Sequence, residues 1–422
     1  MSPLLVVVSI VLVDLLGFTI VMPLLPRFAQ EYQFSDGQIG LLMAAYPMCQ
    51  LVAGPILGRL SDRFGRRPVL AVSQAGTALS FLILGLSREY GVMLLARMLD
   101  GASGGNILVA QAYIADVTKP EHRARSLGLI GAAFGVGFVL GPLLGGVLVE
   151  LPISHDWQLR LPFLVAAAFS TLAWFLVLFK LPESRPADGR TRPEARVLSW
   201  RGVAATLSSP KVAGLVAVGA LVVLGFAALE GTFSLFLQRR MGWGTSRAAF
   251  GFAFLGLVSA FIQGGLIRRL VPKYGEPKLI VAGIAALIVG FVAMALAQGW
   301  PLLLGAILII GVGHGLANPT VQGLLSRVTP ASDQGAVFGT LSSAQTLARM
   351  TNYLLANYLL GLGLSYTSAP YWEAAAVAGV ALILALAVVG RVGLGVGEGS
   401  PDLADSEVDR SALSAGGRSR SR

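Results

Sequence analysis

Charge and sulfur are scarce in this chain. Only 13% of its residues are Asp, Glu, Lys or Arg, against about 25% in ordinary soluble domains, which excludes a conventional water-exposed surface. The single cysteine, Cys49, lies in an apolar run, so a disulfide framework and a cysteine-ligated metal site are both excluded. There are three histidines and no H-E-x-x-H pair, no G-x-S-x-G elbow and no glycine-rich phosphate loop with its lysine. No catalytic residue, metal ligand or cofactor is therefore expected, and neither an enzyme nor an ATP-driven pump fits.

Apolar length is abundant instead. Hydrophobic residues make up 55% of the chain and the mean hydropathy is +0.73. About 20 apolar residues cross a bilayer as a helix. Such runs fall near residues 4–26, 38–58, 68–87, 91–115, 125–150 and 160–180, and again near 210–237, 247–268, 277–298, 301–326, 334–362 and 370–391. The expected fold is an all-α polytopic membrane protein with twelve spans in two sets of six. The first run is read as span 1 rather than a secretory signal. It is long for one, Asp14 interrupts it, and no small-residue cleavage site follows.

The longest polar interruption is "KLPESRPADGRTRPEARVLSWRG", residues 180–202. It divides the chain into a first half, 1–180, a linker, 181–209, and a second half, 210–391. Residues 392–422 lack apolar periodicity and are expected to form a disordered tail.

The formal charge of +10 points to topology rather than to nucleic acid. Lys and Arg crowd the loops after even-numbered spans: Arg59, Arg63, Arg66 and Arg67; Lys119, Arg123 and Arg125; the linker; Arg268, Arg269, Lys273 and Lys278. Odd loops hold few, with Arg239, Arg240 and Arg247 as a local exception. The positive-inside rule places the even loops, the linker and both termini in the cytoplasm.

The halves resemble each other. "GPILGRLSDRFGRRPVL", 54–70, aligns without gaps on "GGLIRRLVPKYGEPKLI", 264–280, pairing Gly65 with Gly275 at an offset of about 210 (275 − 65). "VTKPEHRARSLG", 117–128, lies over "VTPASDQGAVFG", 328–339, at an offset of 211 (328 − 117). Two matches at nearly one offset imply duplication of a six-span unit.

"LARMLDGASGGN", 95–106, sets Arg97 and Asp100 on one face of span 4, at i and i+3. A mid-bilayer charge costs roughly 2.5–3.5 kcal/mol and usually faces a partner or a water-filled cavity. Asp14 in span 1, Glu230 in span 7 and Arg349 in span 11 add three more. Burial disfavours an ionised carboxylate and a nearby arginine favours it, so a conformational change that alters either one binds or releases a proton. Asp14, Glu230 and then Asp100 are the expected proton-coupling residues, with Arg97 and Arg349 as charge partners. Neither Asp14 nor Glu230 has an obvious arginine partner on its own span.

Three motifs carry a family resemblance. "GRLSDRFGRRPVL", Gly58–Leu70, resembles the loop signature between spans 2 and 3 of the major facilitator superfamily. "RMLDGASGG", Arg97–Gly105, is similar to its span 4 pattern, with Asp100 in place of the usual Gln. "GFVLGPLLGG", Gly137–Gly146, is similar to its span 5 antiporter signature. The whole resembles the twelve-span drug:proton antiporters related to the tetracycline exporters. The resemblance implies a monomer whose spans 1, 4, 7 and 10 line a central cavity. It also implies that the loop residues Gly58, Asp62, Arg63, Gly65, Arg66 and Arg67, with Asp116, form a cytoplasmic gate latching onto the start of span 11. The second copy of the loop has Pro272 where the first has Asp62.

By its chemistry, Asp62 beside Gly58 and Gly65 can approach a helix N-terminus, and Asp116 can receive a loop arginine. Gly137, Gly141, Gly145 and Gly146 permit close helix contact, and Pro142 bends span 5. Asn106, Gln111, Tyr113, Phe226, Phe233, His314, Asn318, Gln345, Asn352 and Tyr353 are candidate cavity residues, with Phe18 and Phe236 as further apolar wall. The expected function is export of small amphipathic or drug-like molecules from a cell inner membrane, with protons as the coupling ion. Uptake of a polar metabolite, such as a sugar or organic acid, is the alternative.

Overall fold

The computed structural model describes residues 2–119, 122–184, 206–330 and 333–396. Most of the linker and the tail from 397 onward, and with them the expectation of disorder there, lie outside the described residues, as do the side chains of Arg123 and Arg125. Every regular element is helical, as a bilayer interior demands when backbone polar groups must find partners within their own segment.

Among the described residues, ten helices are long and apolar enough to cross a membrane. One of them, Thr245–Leu296, is two spans joined at a bend. A further helix, Gln334–Leu360, is more polar but packs between the others. The fold is thus twelve spans in two pseudo-symmetric six-helix bundles. The first holds Pro3–Val21, Asp36–Phe64, Arg66–Leu86, Tyr90–Val117, Arg123–Leu148 and His155–Lys180. The second begins with Pro210–Met241 and Thr245–Phe261, continues through the bent helix Ile267–Leu296, and ends with Trp300–Val328, Gln334–Leu360 and Ala369–Val396. Span 1 packs on spans 5 and 6, and span 7 on spans 11 and 12. The bundles meet along two seams, span 2 against span 11 and span 5 against span 8.

Several boundaries differ from the sequence expectation for physical reasons. Span 1 ends at Val21, and a short separate helix, Leu25–Glu31, follows. Span 2 runs on to Phe64, so Gly58, Asp62 and Arg63 belong to its last turns rather than to a loop. Span 4 is broken at Gly104 and Gly105, two poor helix formers, where Gln50 Nε2 donates to the freed Gly104 carbonyl at 2.8 Å. Span 8 passes through a π-helical turn, Ile262–Leu266, and continues to Gly275, where the chain turns into span 9.

Gly65 and Gly275, paired by the repeat, both turn the chain between spans with positive φ (99° and 77°) and similar ψ (159° and 154°). An L side chain is strained in that region, so the two turns share one backbone solution.

The bundles touch at one end. Away from the termini, a Cβ on Gly40 would stand 2.9 Å from the Tyr353 carbonyl, and one on Gly361 would stand 3.1 Å from Asp36. Near the face that carries the chain ends, here the terminus face, the seam helices carry Gly54, Gly131, Gly264 and Gly335, none of which would meet anything within 4 Å. The close approaches between the bundles therefore lie away from the terminus face.

Candidate functional site

A cavity of about 250 Å³ lies between the bundles. Its lining includes Asp14, Arg97, Asp100 and Asn106 from the first bundle and Gln345, Arg349 and Tyr353 from the second, with Phe18, Met22, Met43 and Phe81 as apolar wall.

An ion pair stands on each side of it, the second reaching the cavity through Arg349 with Glu230 buried behind. Arg97 Nη1 is 2.8 Å from Asp100 Oδ2, both side chains nearly fully buried, and the guanidinium lies 4.9 Å over the Tyr46 ring. Arg349 Nε is 3.1 Å from Glu230 Oε2, and the Tyr353 hydroxyl donates to the same oxygen at 2.9 Å. Glu230 thus gains from span 11 the partner that its own helix lacks. Tyr46 stands within electrostatic reach of both Asp100 and Arg349 and so connects the pairs.

Asp14 differs from the other two acids. Its Oδ2 accepts from Asn106 Nδ2 at 3.3 Å, its Oδ1 is buried without a hydrogen-bond partner, and no cation is within ion-pair distance among the described residues. Gln74 lies beside it. Paired and unpaired carboxylates on one cavity can exchange protons with any water that enters, because separating a buried pair or drying a carboxylate changes which protonation state is cheaper.

Several candidates lie elsewhere. Gln111 is exposed and absent from the cavity lining. Tyr113 is fully buried, its hydroxyl donating to the Pro182 carbonyl at 2.9 Å. Phe226 stacks on His314 at 3.9 Å between ring centroids, away from the cavity lining. Phe233 packs edge-on to Phe252, and Phe236 edge-on to Tyr371, within the second bundle's core. Asn352 is fully buried, and its amide donates to the Leu224 carbonyl. Asn318 accepts from Gln345 at 3.2 Å without lining the cavity itself. Aromatic and amide side chains at helical spacing are equally suited to a core, and here most of them serve it.

At the terminus face Arg66 holds the turn between spans 2 and 3. Its Nε is 3.0 Å from Asp116, its Nη2 is 2.8 Å from Asp62, and its Nη1 donates to Ser61 at 2.6 Å. The carboxylate at the N-terminus of span 3 is Glu183, not Asp62. It accepts the backbone N–H groups of Arg66 and Arg67 at 2.9 and 3.1 Å. Arg67 also donates to the Leu178 carbonyl, and Arg63 lies over the Phe64 ring. A Cβ on Gly58 would stand 3.2 Å from Leu108. These contacts all lie within the first bundle. Gln334, at the start of span 11, bonds Ser326 instead.

The second bundle repeats the arrangement with its charges exchanged. Glu276 (66 + 210) is 2.8 Å from Arg327 (116 + 211). Applying the repeat offset to Arg66 and Asp116 would have found this pair.

At the opposite face, Asp36 of span 2 pairs with Arg239 of span 7, and Arg239 Nη1 donates to the Leu360 carbonyl at 3.1 Å. Arg239 was an exception to the loop-charge pattern, and this pairing accounts for it.

Gly137, Gly141 and Gly145 face span 1, where a Cβ would press on Leu15, Thr19 and Ile20 respectively. The Thr19 hydroxyl donates to the Gly137 carbonyl at 2.8 Å. Gly146 faces Ala249 and Phe250 of span 8. Pro142 lacks the N–H that would bond the Phe138 carbonyl, and a Cβ on Gly256 of span 8 would collide with that carbonyl oxygen. The second seam therefore passes through the helix defect at Pro142.

A twelve-span bundle pair around a polar, ion-paired cavity defines a membrane transporter rather than an enzyme. The chain matches the family model of the Major Facilitator Superfamily over residues 7–351 and again over 269–394, and it belongs to that family. It is 33% identical to the class B tetracycline resistance protein of Escherichia coli over 344 residues, 79% of this chain and 82% of that one. It is 32% identical to the class C protein of Escherichia coli, covering 91% and 95%. Multidrug resistance protein 2 of Bacillus subtilis (strain 168) is 28% identical, covering 86% and 89%. Among solved structures, the human organic anion transporter MFSD10 superposes with a TM-score of 0.69 at 25% identity, covering 90% of this chain and 98% of that one.

Proposed function

We propose that the chain is a proton-coupled antiporter that exports small amphipathic, drug-like molecules from a cell inner membrane by alternating access. The observation that carries this reading is the meeting of Asp14, the Arg97–Asp100 pair and Arg349, itself paired with the buried Glu230, on one cavity between two bundles. Similarity to tetracycline and multidrug resistance proteins supports a drug-like substrate. The terminus face is the cytoplasmic one, as the loop arginines imply. Asp36–Arg239 then closes the outer side. In this reading the working unit is a monomer, protons are the coupling ion, and no cofactor takes part.

In the cycle, substrate enters from the cytoplasm and disturbs the two ion pairs. Rocking of the bundles exposes the site outward, where the acids take up protons and the substrate leaves. A proton crossing the full membrane potential supplies about 2.3 kcal/mol per 100 mV, which drives export uphill.

The test is tetracycline movement in proteoliposomes under an imposed pH gradient, with proton flux recorded in parallel. Proton movement opposite to tetracycline supports the reading. Tetracycline movement without proton flux, or with protons in the same direction, overturns it.

A further inference from the structure

The cavity leaves one acid at membrane depth unexplained. Glu373 lies on span 12 and does not line the cavity. Its neighbour Ala374 packs on Gly225, near the midpoint of Pro210–Met241, so Glu373 sits well inside the bilayer. An unpaired charge there costs roughly 2.5–3.5 kcal/mol.

Among the described residues no cation pairs with it: of the cations on span 7, Arg239 holds Asp36, and Lys211 and Arg240 stand at the helix ends. Spans 7, 9 and 11 pack against span 12. Span 7 brings the Leu224 carbonyl and Gly225, span 9 the Phe291 ring, and span 11 Asn352. The single charged residue of span 11, Arg349, is committed to Glu230. Glu230 itself pairs on the cavity side. The charged residues of span 9, Glu276 and Lys278, sit at its terminus-face end, just after the Gly275 turn. Tyr371, on span 12 itself, faces the Thr232 hydroxyl.

Asn352 is the polar side chain that meets Glu373. Its Nδ2 donates to the Leu224 carbonyl at 2.5 Å and lies 3.3 and 3.4 Å from the two Glu373 oxygens. Its Oδ1 is buried with no hydrogen-bond partner. The Asn352 N–H fits an acceptor oxygen of Glu373 in either protonation state, so it is the lack of a cation at this depth that favours the protonated acid. Asn352 immediately precedes Tyr353, which holds Glu230, and follows Arg349 by three residues. The state of Glu373 therefore bears on the helical turn that carries the cavity's second ion pair.

We propose that Glu373 is a second proton-binding carboxylate of the transport cycle, held by Asn352 on the side of span 11 turned away from the cavity. This rests on the antiport reading above. When span 12 shifts against span 11, the carboxyl O–H is broken and the proton passes to water. The carboxylate left behind keeps only the Asn352 N–H.

The test uses the full chain in lipid nanodiscs, titrated from acidic to alkaline pH under infrared difference spectroscopy. The expected result is a carboxylic acid carbonyl band that is lost in Glu373→Gln and displaced in frequency in Asn352→Leu. In weakly buffered detergent, Glu373→Gln releases fewer protons than the native chain when tetracycline binds. A carbonyl difference spectrum unchanged by Glu373→Gln, or a proton count equal to the native one, overturns the proposal. Absence of proton counterflow in native proteoliposomes overturns the antiport reading instead, and the infrared band still reports whether Glu373 binds a proton.

Discussion

Arg66 and Glu276 occupy corresponding places in the two bundles, each just after a glycine of positive φ, and carry opposite charges. Each keeps an ion pair because its partner has changed sign as well: Asp116 for Arg66 and Arg327 for Glu276. The two pairs differ in setting. Arg66 is nearly buried and also serves Asp62 and Ser61, whereas Arg327 is 67% exposed. Arg327→Ala strands Glu276, whose side chain is only 8% exposed, and is expected to cost roughly 1–3 kcal/mol. Arg66→Ala strands Asp62 and Asp116 and is expected to cost roughly 2–3 kcal/mol. Thermal unfolding in detergent ranks the two, and the exchange Glu276→Arg with Arg327→Glu should recover most of the loss seen in either single variant.

Asp14 and Asp100 separate folding from coupling. Asp100→Asn leaves Arg97 buried without a counter-ion, a loss of roughly 3 kcal/mol or more for a broken buried pair. Asp14 has no cation to strand, so Asp14→Asn is expected to leave the unfolding temperature unchanged or slightly raised while gradient-driven tetracycline efflux is lost. Equal destabilisation by the two substitutions would contradict the assignment of their partners.

The outer seam depends on Asp36 and Arg239. Arg239→Ala should raise the share of molecules open on that face. The measure is the labelling rate of single cysteines introduced along the outer part of the span 2–span 11 seam, in a chain whose native Cys49 is replaced by Ser. Asp36→Arg combined with Arg239→Asp should return the rate toward the native value. A rate indifferent to all three variants would mean that the pair does not hold the seam.

Glycine positions in the seam helices should fall into two groups. Gly141→Ala forces a methyl into Thr19, and Gly256→Ala forces one into the Phe138 carbonyl. Each is expected to cost about 1–3 kcal/mol by overpacking. Gly131→Ala and Gly264→Ala meet nothing and should be neutral or slightly stabilising in unfolding experiments, because alanine is the better helix former.

Twelve apolar runs, the repeat and the loop arginines were legible in the sequence because each depends on neighbours along the chain. Membrane-depth Asp14, Arg97, Asp100, Glu230 and Arg349 were equally visible, since charge in an apolar run is conspicuous whatever it faces. Glu373 is a counter-example. It stands close to the start of span 12, beside Tyr371 and Trp372, where it reads as a helix-end charge, and only the packing of Ala374 on Gly225 reveals its depth.

By itself the sequence determined that the chain spans a membrane, that a six-span unit recurs, and that Asp14, Arg97, Asp100, Glu230 and Arg349 stand in apolar runs, because hydrophobic length and charge are local properties. The tertiary structure alone decided partnership. It gave Glu230 its arginine from span 11, left Asp14 without one, put Glu183 rather than Asp62 at the helix N-terminus, and turned Tyr113, Phe226 and Phe233 away from the cavity. Those outcomes depend on how helices far apart in the chain rotate and cross, and helical periodicity states only that a residue has a face, not what that face meets.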